Sequence, residues 1–160
     1  MPRGRERWRM GRTIKLAVAM AMILALGAGT ALAATVVGTA GIDRLLGTNG
    51  DDEMYGLAGN DSMDGRGGND SMAGGQGNDT MNGGLGNDSI FGGAGSDELY
   101  DGSSGDDYIQ ANGDGTRDNV FCGDGFDRVV AGPEDVVEDK LAKETNSGHR
   151  HDDCERVFVR

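Results

Sequence analysis

Between residues 38 and 110 the large apolar residues fall on a nine-residue beat: Leu45, Met54, Met63, Met72, Met81, Ile90, Leu99 and, after one extra residue, Ile109. Two places before each stands an aspartate: Asp43, Asp52, Asp61, Asp70, Asp79, Asp88, Asp97 and Asp107. Most of the remaining positions are glycine or polar, with Ile42, Leu46, Leu57, Leu85 and Phe91 among the exceptions. The unit reads G-G-x-G-N-D-x-U-x, with U apolar, and its cleanest copies are residues 74–82 and 83–91. Units begin at Gly38, Gly47, Gly56, Gly65, Gly74, Gly83, Gly92 and, counting Asp101 as the extra residue, at Gly102. So strict a period predicts a solenoid in which each unit packs only on its neighbours.

The glycine-rich six residues of each unit are expected to be turn, since glycine adopts positive φ without steric cost. The other three, such as Ser62-Met63-Asp64, suffice for a very short strand. Side chains alternate along a strand, so position eight faces inward and positions seven and nine outward. Two turns and two strands complete a coil of eighteen residues, and the strands stack as two parallel sheets. The apolar rows fill the narrow space between them. At about 1.5–3 kcal/mol per buried apolar side chain, that core does not offset the ordering of nine residues rich in glycine.

The ends are less regular. Residues 34–37 are a β-branched lead-in, and the unit at Gly38, with Ile42 at position five, looks like a worn terminal repeat. Residues 38–110 form the regular array, and 111–130 are degenerate units keeping Asp118 with Val120 and Asp127 with Val129. From Ala131 the pattern ends, leaving 131–160 as a capping segment. In it a turn at 133–135, a short helix or irregular stretch at 135–143, a polar loop at 145–153 and a last strand at 155–160 are expected.

Charge changes the picture at the front. The net charge is −12, yet residues 1–33 hold six basic residues against Glu6, so the remainder stands near −17. Such acidity disfavours nucleic acid and anionic membranes and attracts cations. The basic start, the apolar run 16–28 and the small-residue site Ala31-Leu32-Ala33 read as a secretory signal cleaved between Ala33 and Ala34. An uncleaved anchor helix is disfavoured by the shortness of the run. The protein is therefore expected to be secreted or held at the cell surface, with no membrane association once the signal is removed. In an exported chain, the even count of cysteines favours a Cys122–Cys154 disulfide over a metal site or free thiols. Closing that loop contributes about 3–4 kcal/mol on the chain-entropy account and would lay the last strand over the end of the solenoid.

Carboxylates repeating at one strand spacing, about 4.8 Å, repel one another by about 1 kcal/mol even in water, so a cation must lie among them. The donor set is all oxygen. It comprises the position-six aspartates, position five (Asp51, Asn60, Asn69, Asn78, Asn87, Asp106, with Ser96), and the carbonyls of the turns. No His or Cys lies in the regular units, which suits Ca²⁺ over zinc or copper; Mg²⁺ usually keeps several waters. An acidic disordered linker would share the composition, but not an apolar residue two places after every aspartate.

On these residues the chain resembles the repeats-in-toxin, or hemolysin-type, calcium-binding nonapeptide family over residues 38–130. The resemblance implies a right-handed parallel β-roll, all-β, with Ca²⁺ between successive coils. Asp52, Asp61, Asp70, Asp79, Asp88 and Asp97 are then the best ligands, Asp43 and Asp107 the next, and Asp118 and Asp127 the weakest. The turn glycines Gly56, Gly59, Gly65, Gly68, Gly74, Gly77, Gly83, Gly86, Gly92 and Gly95 would lend carbonyls. About five or six ions are expected from the stacked pairs. Unlike many members, this chain has an N-terminal signal, so the family's one-step export route is not assigned to it. Its cysteine-bearing tail is similar to the ends of small exported bacterial repeat proteins.

No catalytic constellation of the H-E-x-x-H or G-x-S-x-G kind is present, and no enzyme is expected. His149 and His151 lie in a polar loop and read as solvated tail rather than a metal site. Two functions remain: a monomeric calcium-binding protein that folds on meeting Ca²⁺, or a surface or matrix module stiffened by Ca²⁺ for a partner.

Overall fold

The computed structural model describes residues 32–111, 114–139 and 154–158. The expected signal segment up to residue 31, the loop 145–153 with its histidines, and residues 159–160 lie outside these. Among the described residues thirteen strands alternate between two parallel sheets, with no helix. One sheet stacks β1 (Thr35–Val37), β3 (Glu53–Ala58), β5 (Ser71–Gln76), β7 (Ser89–Ala94), β9 (Tyr108–Gln110), β11 (Arg128–Ala131) and β13 (Glu155–Phe158) in that order. The other stacks β2 (Arg44–Leu46), β4 (Ser62–Asp64), β6 (Thr80–Leu85), β8 (Glu98–Ser104), β10 (Asn119–Cys122) and β12 (Val136–Asp139). The result is a parallel β-solenoid of about six turns.

Pairing is in register, unit n on unit n+2: Ser71 on Ser89, Met72 on Ile90, Ala73 on Phe91. Every position-eight residue from Leu45 to Val129 is at most 2% exposed, as the period requires, and together they form one continuous core. The outward positions carry half-exposed Tyr55 and Phe91, and Tyr100 stacks on Phe121 with ring centroids 4.7 Å apart.

Four features correct or extend the expectations. The strands of the central units run on through the G-G-x segment, so β5, β6 and β7 are six residues long and the turn shrinks to positions four to six. Glycine at position two makes this work: Gly75, Gly84 and Gly93 take φ of 111°, 112° and 109°, bending the chain while it stays paired. Second, the lead-in is a strand, β1, whose Val36 joins the core. Third, the extra residue is not Asp101. Gly84 pairs with Gly102 but Leu85 with Ser104, so the bulge falls at Ser103 and Asp101 occupies position one, opposite Gly83. Fourth, the pattern does not end at Ala131. Residues 136–139 are strand β12, not helix, and pair in register on β10. Strand β13 lies on β11 as expected, held by the Cys122–Cys154 disulfide.

Candidate metal centre

Position six ends each turn, where the chain re-enters a sheet, and its side chain folds back into the solenoid. All the position-six aspartates are 5% exposed or less, except Asp135 at 6%. They form two columns. In one, the backbone N–H of Asp43 donates to Oδ1 of Asp61 (2.8 Å), Asp61 to Asp79 (2.8 Å), Asp79 to Asp97 (2.9 Å), Asp97 to Asp118 (2.8 Å) and Asp118 to Asp135 (3.0 Å). In the other, Ala34 donates to Asp52 (2.6 Å), Asp52 to Asp70 (2.8 Å), Asp70 to Asp88 (2.8 Å), Asp88 to Asp107 (2.6 Å) and Asp107 to Asp127 (3.1 Å). From Asp52 onward one oxygen of each carboxylate thus satisfies the backbone of the turn below, whereas Oδ1 of Asp43, first in its column, is buried without a partner.

The second oxygen is the chemically open one. Oδ2 of Asp61, Asp70, Asp79, Asp88, Asp97 and Asp118 is buried without a hydrogen-bond partner. In the units beginning at Gly56, Gly65, Gly74, Gly83 and Gly92 it points at the position-one glycine of its own unit. A Cβ on Gly56 would lie 2.6 Å from Asp61 Oδ2 and 2.5 Å from the Gly74 carbonyl oxygen, and one on Gly92 would lie 2.5 Å from Asp97 Oδ2. In these units glycine leaves room there, and a carboxylate and a carbonyl oxygen converge on it. Buried anionic oxygens without donors are costly, and they suit a hard cation.

The electrostatics agree. Burial pushes Asp88 and Asp118 up to about 7, and Asp70, Asp97 and Asp107 up to about 6, against the ladder hydrogen bond; neighbouring aspartates add to the rise. Asp61 and Asp79 are raised for the same reasons. Without a cation these carboxyls compete with each other for charge.

Position five also bonds backbone. Oδ1 of Asp51, Asn60, Asn69, Asn78 and Asn87 accepts the N–H of the residue at position five two units on, at 2.7–3.0 Å. This exposed ladder runs opposite in sense to the aspartate ladder. It occupies oxygens that the sequence suggested as ligands. The position-four glycines Gly59, Gly68, Gly77, Gly86 and Gly95 take φ between 106° and 128°, turning the chain tightly around the same edge.

Three aspartates outside the regular units join the columns. Asp118 and Asp127 stand fully in the columns despite their degraded turns. Asp135 does too, and its signal was present: Asp135-Val136-Val137 repeats the order of positions six to eight. Asp101, treated as an insertion, is 1% exposed; burial and nearby Asp127 and Asp107 drive its carboxyl up to about 8, against a backbone hydrogen bond from Gly123.

Comparison with known proteins agrees with this geometry. The RTX calcium-binding nonapeptide repeat matches in four copies over residues 37–72 and 73–100. No curated protein and no solved structure matches the chain. With the nonapeptide period, the stacked turns and the aspartate columns in one place, residues 37–100 are an array of the RTX calcium-binding repeat family.

Proposed function

We propose that this is an exported protein that binds several Ca²⁺ ions and whose folding is coupled to them. The observation that carries the reading is the row of buried Oδ2 atoms without partners. Asp61, Asp70, Asp79, Asp88 and Asp97, with Asp107 and Asp118, would hold the ions, helped by carbonyls of the turn glycines. Asp52 and Asp43 contribute less through Oδ2, because threonines already bond it, and Asp43 keeps only Oδ1 open. Ligands that exist only in the folded state add their binding energy to its stability, so a chain short of calcium is a coil and an exported one a solenoid. About five or six ions remain the expected load.

Export rests on the N-terminal segment, and cleavage between Ala33 and Ala34 would have a structural effect. The Ala34 nitrogen lies 2.6 Å from Asp52 Oδ1, so a new α-ammonium there would start its column with an ion pair. The chain acts without catalysis and without nucleic-acid partners. A second reading is a stiffened surface or matrix module. It draws on the outward aromatics, where Tyr100 stacks on Phe121 and Phe91 meets Tyr108 at 5.9 Å.

The test is circular dichroism of the chain from Ala34, titrated with Ca²⁺ and separately with Mg²⁺. A cooperative coil-to-β transition at roughly 0.1–1 mM Ca²⁺, absent with Mg²⁺, is expected. A chain already folded in chelator would reduce calcium to an accessory. Retention on cells through a calcium-containing wash would favour the module, release as a monomer the calcium-binding protein.

A further inference from the structure

The outward faces of the two sheets are not alike. Across β1, β3, β5 and β7 the position-nine residues Val37, Tyr55, Ala73 and Phe91 stand side by side in register. Val37 is 49% exposed, Tyr55 41% and Phe91 37%, so the row is an open apolar stripe. It begins on the first strand of the sheet and ends at β9, where Gln110 takes the position. On the other sheet the same row carries Asp64 and Asn82. The outward positions of β1, β3, β5 and β7 hold one charge, Glu53, in a chain of net charge −12. Leu57 extends the apolar side of β3 and is exposed at a φ of 78°. A leucine strained into the open serves no packing of its own chain.

We infer that this stripe is the interface of a two-fold dimer, a second copy laid face to face with its solenoid axis reversed. The dyad that covers the whole stripe runs along the strands between β3 and β5. It sets Tyr55 over the partner's Ala73 and Phe91 over the partner's Val37, and makes each contact twice. Sheets pack about 10 Å apart, a gap that a ring against a methyl fills and two rings overfill. Glu53 then lies over the partner's Ser71, acid against hydroxyl. The unreversed arrangement would stack each Glu53 on its own copy and each Tyr55 on its own ring, so charge and size both select the reversed one. Four strands about 4.8 Å apart and up to six residues long bury about 1,000 Å² in total, the lower limit for a specific interface. The pairing is therefore reversible, with single chains in dilute solution and dimers where the protein is concentrated. The turns, with their aspartate columns, lie outside it.

The measurement is sedimentation equilibrium of the disulfide-bonded chain from Ala34 in saturating Ca²⁺, with circular dichroism on the same samples. A monomer–dimer equilibrium with a Kd on the order of 100 µM is expected. Ala73→Arg puts a charged chain under the partner's Tyr55, and Tyr55→Ser removes the ring. Both positions face outward, so each variant is expected to fold and to raise the Kd at least tenfold. Thr80→Arg, the same added charge on the other sheet, should leave the Kd unchanged. A folded chain still monomeric at roughly 1 mM overturns the inference and leaves the calcium reading intact. A dimer that survives both stripe substitutions, or that Thr80→Arg weakens equally, overturns it too. A chain that is folded and dimeric in chelator supports the interface while removing calcium from the proposed function.

Discussion

The first two units and the five that follow carry the same aspartate at the same depth but complete it differently. In units one and two, position two is threonine. Thr39 N–H and Oγ1 donate to Asp43 Oδ2 at 2.5 and 2.8 Å, and Thr48 does the same for Asp52 at 2.5 and 3.1 Å. From unit three onward position two has positive φ, at Leu57, Arg66, Gly75, Gly84 and Gly93, and the aspartate Oδ2 has no partner. One threonine supplies locally what the later units leave to a cation. The amino-terminal end is thereby self-capped, whereas the centre is an open ligand set.

That contrast can be strained hardest by pH in a chelator. The central carboxyls sit above their ordinary values because burial disfavours their charge. A raised folded-state pKa means that stability is fully present below the unfolded value near 4 and is lost as pH rises through about 6–7. Without calcium, β-structure measured by circular dichroism should therefore be favoured near pH 5 and absent at pH 8. With calcium the dependence should invert, protons competing for the same oxygens. A calcium-free chain most stable at pH 8 would contradict the electrostatic reading.

A paired substitution comes next. Asp79→Asn should remove at least one calcium ion from the count and raise the midpoint of the folding titration about tenfold, equivalent to about 1.4 kcal/mol. Asp52→Asn, whose oxygens are already bonded by Thr48 and Ala34, should leave the ion count unchanged. Equal losses would erase the distinction between the two regions.

Smaller effects separate the glycines. Gly74→Ala would drive a Cβ into Asp79 Oδ2 and the Gly92 carbonyl, costing about 1–3 kcal/mol in calcium-saturated thermal unfolding. Gly41→Ala meets nothing closer than Thr39 Oγ1 at 3.8 Å and should be neutral or stabilising by up to about 1 kcal/mol. Smallest of all, Leu57→Gly relieves a leucine at φ 78° and should stabilise by about 1 kcal/mol, seen as a slightly higher melting temperature.

The sequence made the columns and the core rows legible because both follow the nine-residue beat, which any stacking must preserve. It was less informative where spacing changes. Ladder partners lie 18 residues apart as far as Asp97, but 19 between Asp88 and Asp107, 20 between Asp107 and Asp127, 21 between Asp97 and Asp118 and 17 between Asp118 and Asp135. A search by glycine pattern therefore lost Asp135, although the Val136-Val137 pair marked it. Asp101 was misplaced for a related reason. Counting residues put the irregularity at the first misfit, whereas strand pairing tolerates an aspartate at position one and moves the bulge to Ser103. Whether Oδ2 stays open follows position two, threonine in units one and two and positive φ from unit three, and Leu57 and Arg66 hid that change behind side chains that normally avoid it.

The alternation of consecutive units between the two sheets also gives the array a parity. Because unit n rests on unit n+2, the smallest edit that restores every stack is one unit, half a turn. Losing one unit moves all later units to the opposite sheet and swaps the face on which the disulfide closes the end, relative to Ala34. Losing two shortens the protein by about 4.8 Å and leaves both ends as they were. Repeat arrays of this kind can thus vary in length by half-turns while keeping their chemistry, but the direction in which their two ends look depends on whether the count is odd or even.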